Sequence, residues 1–283
     1  MRNSNNTLTN IKLQMVKLGK MVRSTENKME LKTVQSGAMR TLFEALKEVL
    51  TDVNIIFDSS GVKIISMDGS KVALVHLKLN GECFEKYVCK KKINAGVNML
   101  SLFKLLKTIN NNDTVGMFIS EERSTELGIL IENKEKNTLC ESYLKLLDID
   151  EDILQIPDVQ FDSVITMPSP DFQKVCRDMS TISDTVCILS KENQLEISCQ
   201  GDFASQKVVI GETSNGLVFS KKDAEVRGEF TLKYLNLFTK STNLCGTVEL
   251  FLKESYPLIL VYCVANLGSL RYCLAPKVDK KVS

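Results

Sequence analysis

One pattern recurs four times along this chain: an amphipathic segment with helical spacing, followed by short segments in which apolar and polar residues alternate. In the first segment Met39, Leu42, Phe43 and Leu46 fall on one side, at intervals of three and four residues. The predicted helices cover residues 36–50, 98–109, 170–180 and 232–239, so their starts are about 60 to 70 residues apart. Such a repeat indicates four similar units rather than an assortment of elements.

Strands are predicted where the alternation has a period of two, and several are separated by turn dipeptides such as Asp-Gly at 68–69 and Asn-Gly at 80–81. They cover residues 30–34, 54–58, 61–68, 72–79, 87–90, 114–120, 126–132, 138–146, 185–190, 195–200, 206–212, 247–252, 258–265 and 269–274. The sequence therefore predicts an α+β fold of two similar domains, each made of two helix-plus-antiparallel-strands repeats.

The two halves meet at residues 144–157, which read LKLLDIDEDILQIP. An acidic middle precedes an apolar tip at Ile153, Leu154 and Ile156, whereas a merely flexible joint would use Gly and Ser. The tip offers a partner something to bury, although a strand end that runs into a surface loop is an equally good interpretation. We divide the chain into a basic N-terminal extension expected to be mobile (1–28), an N-terminal domain (29–144), a connector (145–158) and a C-terminal domain (159–283).

Composition narrows the class of protein. With 43% hydrophobic and 25% charged residues among 283, the chain is typical of soluble globular proteins. No apolar run approaches the roughly 20 residues that a membrane-spanning helix needs, so no membrane partner is expected. Nine cysteines are scattered without a CxxC pair, which argues against a disulfide framework and a zinc site. We expect a reducing intracellular compartment and neither metal nor cofactor.

The basic residues are concentrated at particular positions and do not give the chain a large net positive charge. The extension holds six basic residues and one acid, which leaves 30 basic and 34 acidic residues in the rest of the chain. Within this net-acidic body each predicted helix carries two basic residues, three or seven positions apart and away from the apolar side. These pairs are Arg40 and Lys47, Lys104 and Lys107, Lys174 and Arg177, and Lys233 and Lys240. Without Trp or aromatic interleaving, they suit sequence-independent contact with duplex phosphates, unless they are simply solvated helix faces.

An enzyme is less well supported. His76, the one histidine, lies in the predicted strand VALVHLKL without identifiable triad partners, and a sheet-face role explains it better. The phosphate-binding patterns GxGxxG and GxxxxGK[ST] are both absent. We therefore expect no catalytic residues, although a metal-dependent nuclease on the same scaffold stays open as an alternative.

Six stretches resemble the eukaryotic-type DNA sliding clamps of the proliferating cell nuclear antigen family. They are FEALKEVL, SSGVKIISMDGSKVALVHLKL, GVNMLSLFKLLK, MPSPDFQKVCRDMSTISD, LKYLNLFTKST and LRYCLAPK, in order between Met29 and Lys277. The resemblance implies a homotrimeric ring that encircles duplex DNA, with the eight basic residues above lining the hole. It also implies DNA polymerase, a clamp loader and repair proteins as partners. The nucleus, or the site of viral DNA replication if the gene is viral, would be the location.

The resemblance also assigns two protein-binding surfaces. The subunit interface would pair one edge strand near 137–145 with a neighbour's edge strand near 203–211. It would use Thr138, Cys140, Ser142, Tyr143, Phe203, Lys207, Val208 and Ile210. A pocket beneath the connector would capture a short peptide with apolar and aromatic anchors. Its residues would be Met67, Lys71, Val72, Leu74, Leu154, Ile156, Pro157, Pro257, Cys273, Ala275 and Pro276.

Two of these pocket residues depart from the family pattern. Lys71 stands where His is usual, and Cys273 stands where a Tyr is usual, so the partner preference of the pocket is open. Within the clamp superfamily, a subunit of a heterotrimeric checkpoint-type ring and a processivity factor that closes no ring are the alternatives.

Overall fold

The computed structural model describes residues 27–150, 154, 157 and 159–277. Most of the predicted N-terminal extension and Ile156 of the connector lie outside the described residues. Within them lie four α-helices: α1 (Ser36–Val49), α2 (Met99–Leu106), α3 (Ser169–Met179) and α4 (Leu232–Phe238). Two 3₁₀ helices cover Gly81–Cys83 and Thr239–Leu244.

The described residues form 18 strands. These are β1 (Asn27–Thr33), β2 (Asp52–Asp58), β3 (Gly61–Met67), β4 (Ala73–Asn80), β5 (Lys86–Cys89), β6 (Ile93–Asn98), β7 (Thr114–Ser120), β8 (Glu126–Asn133), β9 (Thr138–Lys145), β10 (Ser163–Pro168), β11 (Thr185–Lys191), β12 (Gln194–Gln200), β13 (Ser205–Gly211), β14 (Val218–Lys222), β15 (Val226–Thr231), β16 (Thr247–Leu252), β17 (Leu258–Val264) and β18 (Gly268–Leu274).

The strands form three antiparallel sheets. A five-stranded sheet has the order β5-β1-β7-β8-β9, and a four-stranded sheet has the order β13-β12-β11-β15. The largest sheet has nine strands, in the order β14-β10-β16-β17-β18-β4-β3-β2-β6. In it β4 pairs with the whole of β18, from Ala73 opposite Leu274 to Leu79 opposite Gly268. This pairing joins the two halves of the chain into one continuous sheet.

The four helices form a single layer over the inner side of the sheets. α1 packs against α2 and α4, α3 packs against α4, and the 3₁₀ helix at 239–244 lies between α1 and α3. The apolar side of α1, with Met39, Leu42 and Leu46 fully buried, joins a core cluster that extends through both halves. We call the side of these helices that points away from the sheets the helix face. The opposite side of the nine-stranded sheet is the outer sheet face.

A buried carboxylate reinforces the joint between the halves. Asp68 accepts hydrogen bonds from the backbone N–H groups of Val72 and Ala73, at 2.8 and 2.7 Å, and from the hydroxyl of Tyr234 in α4 at 2.6 Å. Although burial by itself would raise the pKa of Asp68, these hydrogen bonds hold it below its usual value. One side chain thus fixes the turn after β3 and attaches it to a helix of the other half.

The predicted fold class is confirmed, and the differences lie at the level of elements. β6, β10, β14 and β15 were not predicted, and three of them run directly into a helix. β6 reads INAGVN, in which Asn and Gly have low strand propensity, so only its pairing with β2 makes it a strand. The helix predicted at 98–109 spans Met99–Leu106. It begins after Asn98, which caps the first turn by accepting from the Ser101 N–H at 2.9 Å, and it ends three residues earlier than predicted.

Candidate nucleic-acid and peptide interfaces

The helix face carries the predicted basic residues, but they differ in what they contact. Lys104, Lys107, Lys174, Lys233 and Lys240 are exposed. None of these five forms an ion pair with any residue in the described part of the chain. Lys233 Nζ lies 5.8 Å from the ring centroid of Tyr234, a contact that leaves its charge exposed. The five ammonium groups are therefore available to an anionic partner, which is the arrangement that contact with phosphates requires.

Arg40, Lys47 and Arg177 are partly engaged within the protein. Arg40 is half-buried and donates from Nη1 to the carbonyl oxygen of Ile109 at 2.8 Å, so it ties α1 to the segment after α2. Lys47 pairs with Glu48 and lies 5.1 Å from the ring centroid of Phe103. Arg177 is exposed beside Asp178, at 3.7 Å. The four pairs are thus equivalent in sequence position, but their charged groups are not equally available to an external anion.

The structure places Lys240 in a different element from the one predicted. It lies in the 3₁₀ helix at 239–244 and not in α4, which ends at Phe238. A 3₁₀ helix has three residues per turn, so the seven-residue spacing from Lys233 does not place the two on one α-helical stripe. The prediction that this pair shares one side of an α-helix is wrong, although both residues are exposed on the helix layer.

Sequence reasoning missed polar groups beside Arg40. A surface cavity there, about 370 Å³ in volume, is lined by Arg40, Asn133, Glu135, Lys136 and the asparagines at 110–112. Lys136 lies in the turn between β8 and β9, far from Arg40 in sequence. The run of three asparagines was the one sequence feature that could have indicated this cavity. The sequence did not indicate which basic residues would lie beside it.

The outer sheet face carries a half-buried apolar row. Met67 lies opposite Leu74, Leu74 lies opposite Cys273, and Cys273 lies opposite Ile259, across four neighbouring strands. Ile259 was not predicted. Burial raises the pKa of the Cys273 thiol to about 11, so the side chain is a neutral apolar surface at physiological pH. The row joins predicted pocket residues from both halves of the chain.

Other predicted pocket residues lie in the turn after β3, in the connector, and next to β17 and β18. The Ala275 N–H donates to the carbonyl oxygen of Val72 at 3.1 Å, which holds the residues after β18 beside β4. Lys71 is exposed in the turn after β3 with a φ of 57°. Leu154, Pro257 and Pro276 are half-buried and Pro157 is exposed.

The connector is anchored at both ends. At its start, the Leu147 N–H donates to the carbonyl oxygen of Gly96 at 2.8 Å, and Asn54 donates to the carbonyl oxygen of Ile149 at 3.1 Å. Two residues after its end, Lys253 donates to the carbonyl oxygen of Gln160 at 3.0 Å. The first anchor is on β2 and β6 and the second follows β16, so the connector begins and ends on opposite sides of the apolar row.

Two sheet edges expose apolar side chains. β9 and β13 each end a sheet, so each leaves one side of its backbone without a strand partner in the described chain. Beside them Phe203 is 77% exposed, Val209 49% and Leu139 45%. Of the predicted interface residues, Thr138, Cys140, Tyr143, Phe203 and Lys207 are exposed, and Ser142, Val208 and Ile210 are half-buried. Long apolar edges are normally covered, because unpaired strand edges associate with other chains.

The one histidine, His76, is a residue of the nine-stranded sheet. His76 lies between Ile65 and Arg271 on the outer sheet face, and its Nδ1 has no hydrogen-bond partner. Burial and then the charges of Arg271, Lys78 and Lys63 lower the pKa of His76, so it is a neutral sheet residue. The described part of the chain holds no group of three potential metal ligands. Among these residues, no helix is both long and apolar enough to cross a membrane.

Comparisons with known proteins agree with this architecture. The family model for the N-terminal domain of proliferating cell nuclear antigen matches residues 28–155, and that for its C-terminal domain matches residues 155–277. The "Probable DNA polymerase sliding clamp 1" of Paramecium bursaria Chlorella virus 1 is 40% identical over 250 residues, which are 87% of this chain and 95% of that relative. Because the matches cover both halves in order, the chain belongs to the proliferating cell nuclear antigen family.

Proposed function

We propose that this protein is a DNA sliding clamp, a non-enzymatic processivity factor that encircles duplex DNA and tethers polymerases to it. The observation that carries the proposal is the helix layer, which is continuous across both halves and presents five exposed lysines without ion-pair partners among the described residues. Dispersed ammonium groups attract the phosphate backbone without reading bases. Such contacts are individually weak, which suits a protein that must move along DNA.

Ring closure is the second part of the proposal. β9 and β13 lie at the ends of separate sheets, one in each half, and both expose apolar side chains. Pairing β9 of one protomer with β13 of the next is a head-to-tail contact, which closes a ring if the rotation per subunit allows it. We propose three identical subunits, with Leu139 and Val209 added to the predicted interface residues.

The apolar row on the outer sheet face supplies the tether. We propose that Met67, Leu74, Cys273 and Ile259 form its floor, the connector one wall and the residues after β18 the other. A short peptide with apolar and aromatic anchors, carried by a polymerase, a clamp loader or a repair protein, would bury this row. The protein would work at the site of DNA replication, either in the nucleus or where viral DNA is copied.

The experiment that tests the proposal compares two topologies of one DNA. The protein is loaded onto a nicked circular plasmid by a clamp loader and ATP, and the plasmid is then linearised. We expect retention on the circle and rapid loss from the linear form, because a ring is held by topology and not by affinity. Equal retention on both forms would contradict an encircling clamp. Cleavage of DNA with Mg²⁺ would instead favour the nuclease alternative.

Mass measurement separates the homotrimer from the other clamp-type alternatives. Light scattering should give three times the 31.7 kDa of one chain. Val209→Glu should lower this mass, because it places a carboxylate on the closing edge, whereas Glu254→Gln, at an exposed position in the turn after β16, should not. A monomer in both proteins would indicate either a subunit of a heteromeric ring or a factor that closes no ring.

A further inference from the structure

Three basic side chains lie together on the outer sheet face, and we call them the outer cations. Lys63 is in β3, Lys78 is in β4 and Arg271 is in β18. The strand register places Lys63 directly opposite Lys78, and it places His76, two residues before Lys78, directly opposite Arg271. Like charges directly opposite each other in a sheet cost stability, so packing of the sheet does not account for this arrangement.

One described acid neutralises one of these cations. Asp58 pairs with Lys63 at 2.8 Å. Lys78 and Arg271 are exposed, and neither forms an ion pair with any residue in the described ranges. Glu249 is in β16, two strands away from Arg271. Two positive charges on this part of the outer sheet face are therefore left without an acid.

The unpaired cations begin close to the apolar row. Arg271 and Cys273 are two positions apart in β18, so they share a face and their Cα atoms are about 7 Å apart. Leu74 and Lys78 are four positions apart in β4, which is about 13 Å. The charge of Arg271 also opposes the rise that burial causes in the pKa of the Cys273 thiol. A peptide that covers the row would thus have positive charge beside it.

We propose that the outer cations bind carboxylate side chains of the tethered partner, in residues that flank its apolar and aromatic anchors. The inference rests on the proposed tether and adds the chemistry of the partner segment. DNA would not neutralise these cations, because the helix face is on the opposite side of the sheet. An extended peptide advances about 3.3 Å per residue, so acids two to four residues beyond the outermost anchor would reach Arg271 and Lys78.

The acids would select among partners and would not replace the anchors. Exposed ion pairs are individually weak and are screened by salt. Here, however, the anchors already hold the peptide on the neighbouring row, so its acids meet the outer cations at a high effective concentration. Partners with acidic flanks would therefore bind more tightly than partners whose flanks are neutral or basic.

The test compares four synthetic peptides on the full-length assembled protein. All four carry one aliphatic and two aromatic anchors. Two carry a pair of Glu residues beyond the anchors, at the N-terminal end in one and at the C-terminal end in the other, and two carry Gln at the same positions. In a fluorescence titration at low salt, we expect one Glu peptide to bind about fivefold more tightly than its Gln match. The difference should disappear at about 0.5 M salt.

The outcomes separate this inference from the tether itself. Equal affinities of the Glu and Gln peptides at both ends would overturn the role of the outer cations and leave the tether in place. If none of the four peptides binds, the tether is overturned and this inference with it. The comparison uses the wild-type protein, so it does not depend on the folding of a variant.

Variants identify the side chains that bind the acids. Lys78→Gln together with Arg271→Gln should bring the Kd of the Glu peptide to that of its Gln match. The control is Lys91→Gln together with Lys92→Gln, exposed between β5 and β6, which has the same change in charge and should keep the preference. Loss of the preference in the control as well would indicate that overall charge attracts the acids, and it would overturn the proposal.

The connector of the same chain is the competing occupant. Asp148 and Asp150 are exposed and form no ion pair with any residue that the structure describes. If these acids occupied the outer cations, the wild type would show no preference for Glu, and Asp148→Asn together with Asp150→Asn would create one. That result would contradict binding of partner acids, whereas an unchanged preference in this variant would support it.

Discussion

The helix face and the outer sheet face belong to the same core but present opposite chemistry. On the helix face the cations are separated and exposed, and Lys104 and Lys107 have no ion-pair partner among the described residues. On the outer sheet face, apolar side chains from four strands are adjacent, and beside them Lys63 pairs with Asp58 at 2.8 Å while Lys78 and Arg271 are exposed. Free, dispersed charge suits weak contact with any DNA sequence, whereas adjacent apolar area suits one specific peptide.

We expect the largest effect from a substitution in the apolar row of the outer sheet face. Leu74→Asp places a carboxylate in the middle of the apolar row, where a bound peptide would bury it. We expect the Kd of a synthetic peptide with one aliphatic and two aromatic anchors to rise about 100-fold, roughly 3 kcal/mol, in a fluorescence titration. Ile65→Asp, one row away beside His76, is the matched control and should change the Kd little. Equal losses in both variants would indicate that the peptide does not bind on this row.

We expect the next largest effect from charge reversal on the helix face. Reversing charge at Lys104 and Lys107 removes two free cations per chain, and we expect DNA affinity at low salt to fall about tenfold or more. The slope of log affinity against log salt should become less steep by about 0.9 for each phosphate that the protein no longer neutralises. The control reverses the exposed Lys91 and Lys92 between β5 and β6, with the same change in net charge. If this control weakens DNA binding as much, overall charge rather than the helix face attracts DNA.

A smaller effect distinguishes engaged from free cations on the helix face. Arg40→Met removes the hydrogen bond to the Ile109 carbonyl oxygen, so we expect a loss of about 1–2 kcal/mol in the free energy of unfolding. Lys107→Met removes no internal partner among the described residues and should stay within about 0.5 kcal/mol. Urea denaturation measures the stabilities. A larger loss of DNA affinity in Arg40→Met than in Lys107→Met would reverse our assignment of which residue is free.

The smallest effect concerns the neutralised charge on the outer sheet face. Although burial opposes it, hydrogen bonds from Lys63 and Ser60 lower the pKa of Asp58 to about 2, from 3.8. Since the folded-state pKa is depressed, the stabilisation is complete above about pH 4 and is lost as the pH falls towards 2. After allowance for solvent screening we expect it to be on the order of 1 kcal/mol. The stability difference between wild type and Asp58→Asn should therefore shrink between pH 5 and 2, and a difference that is constant over this range would contradict it.

Much of the fold could be predicted from local patterns, because period and propensity are properties of neighbouring residues. β7 and β16 have the bounds that alternation predicted, and the four helices were found within a few residues of their ends. The unpredicted strands show the limit. β6 contains Asn and Gly, and it is a strand because β2 pairs with it. The end of α4 also differed, because the chain tightens to a 3₁₀ helix at Thr239.

The candidate sites show the same division between features set by local sequence and features set by tertiary contacts. The sequence alone determined the fourfold repeat, the basic residue pairs and the apolar tip of the connector, since each is a spacing within one segment. Only the tertiary structure decided that β4 pairs with β18, nearly 200 residues away, which places Leu74 and Cys273 in one row. It also decided that Arg40 binds a carbonyl group while Lys107 forms no ion pair with any described residue. These contacts join distant segments, and burial of the shared core, not local spacing, selects which segments meet.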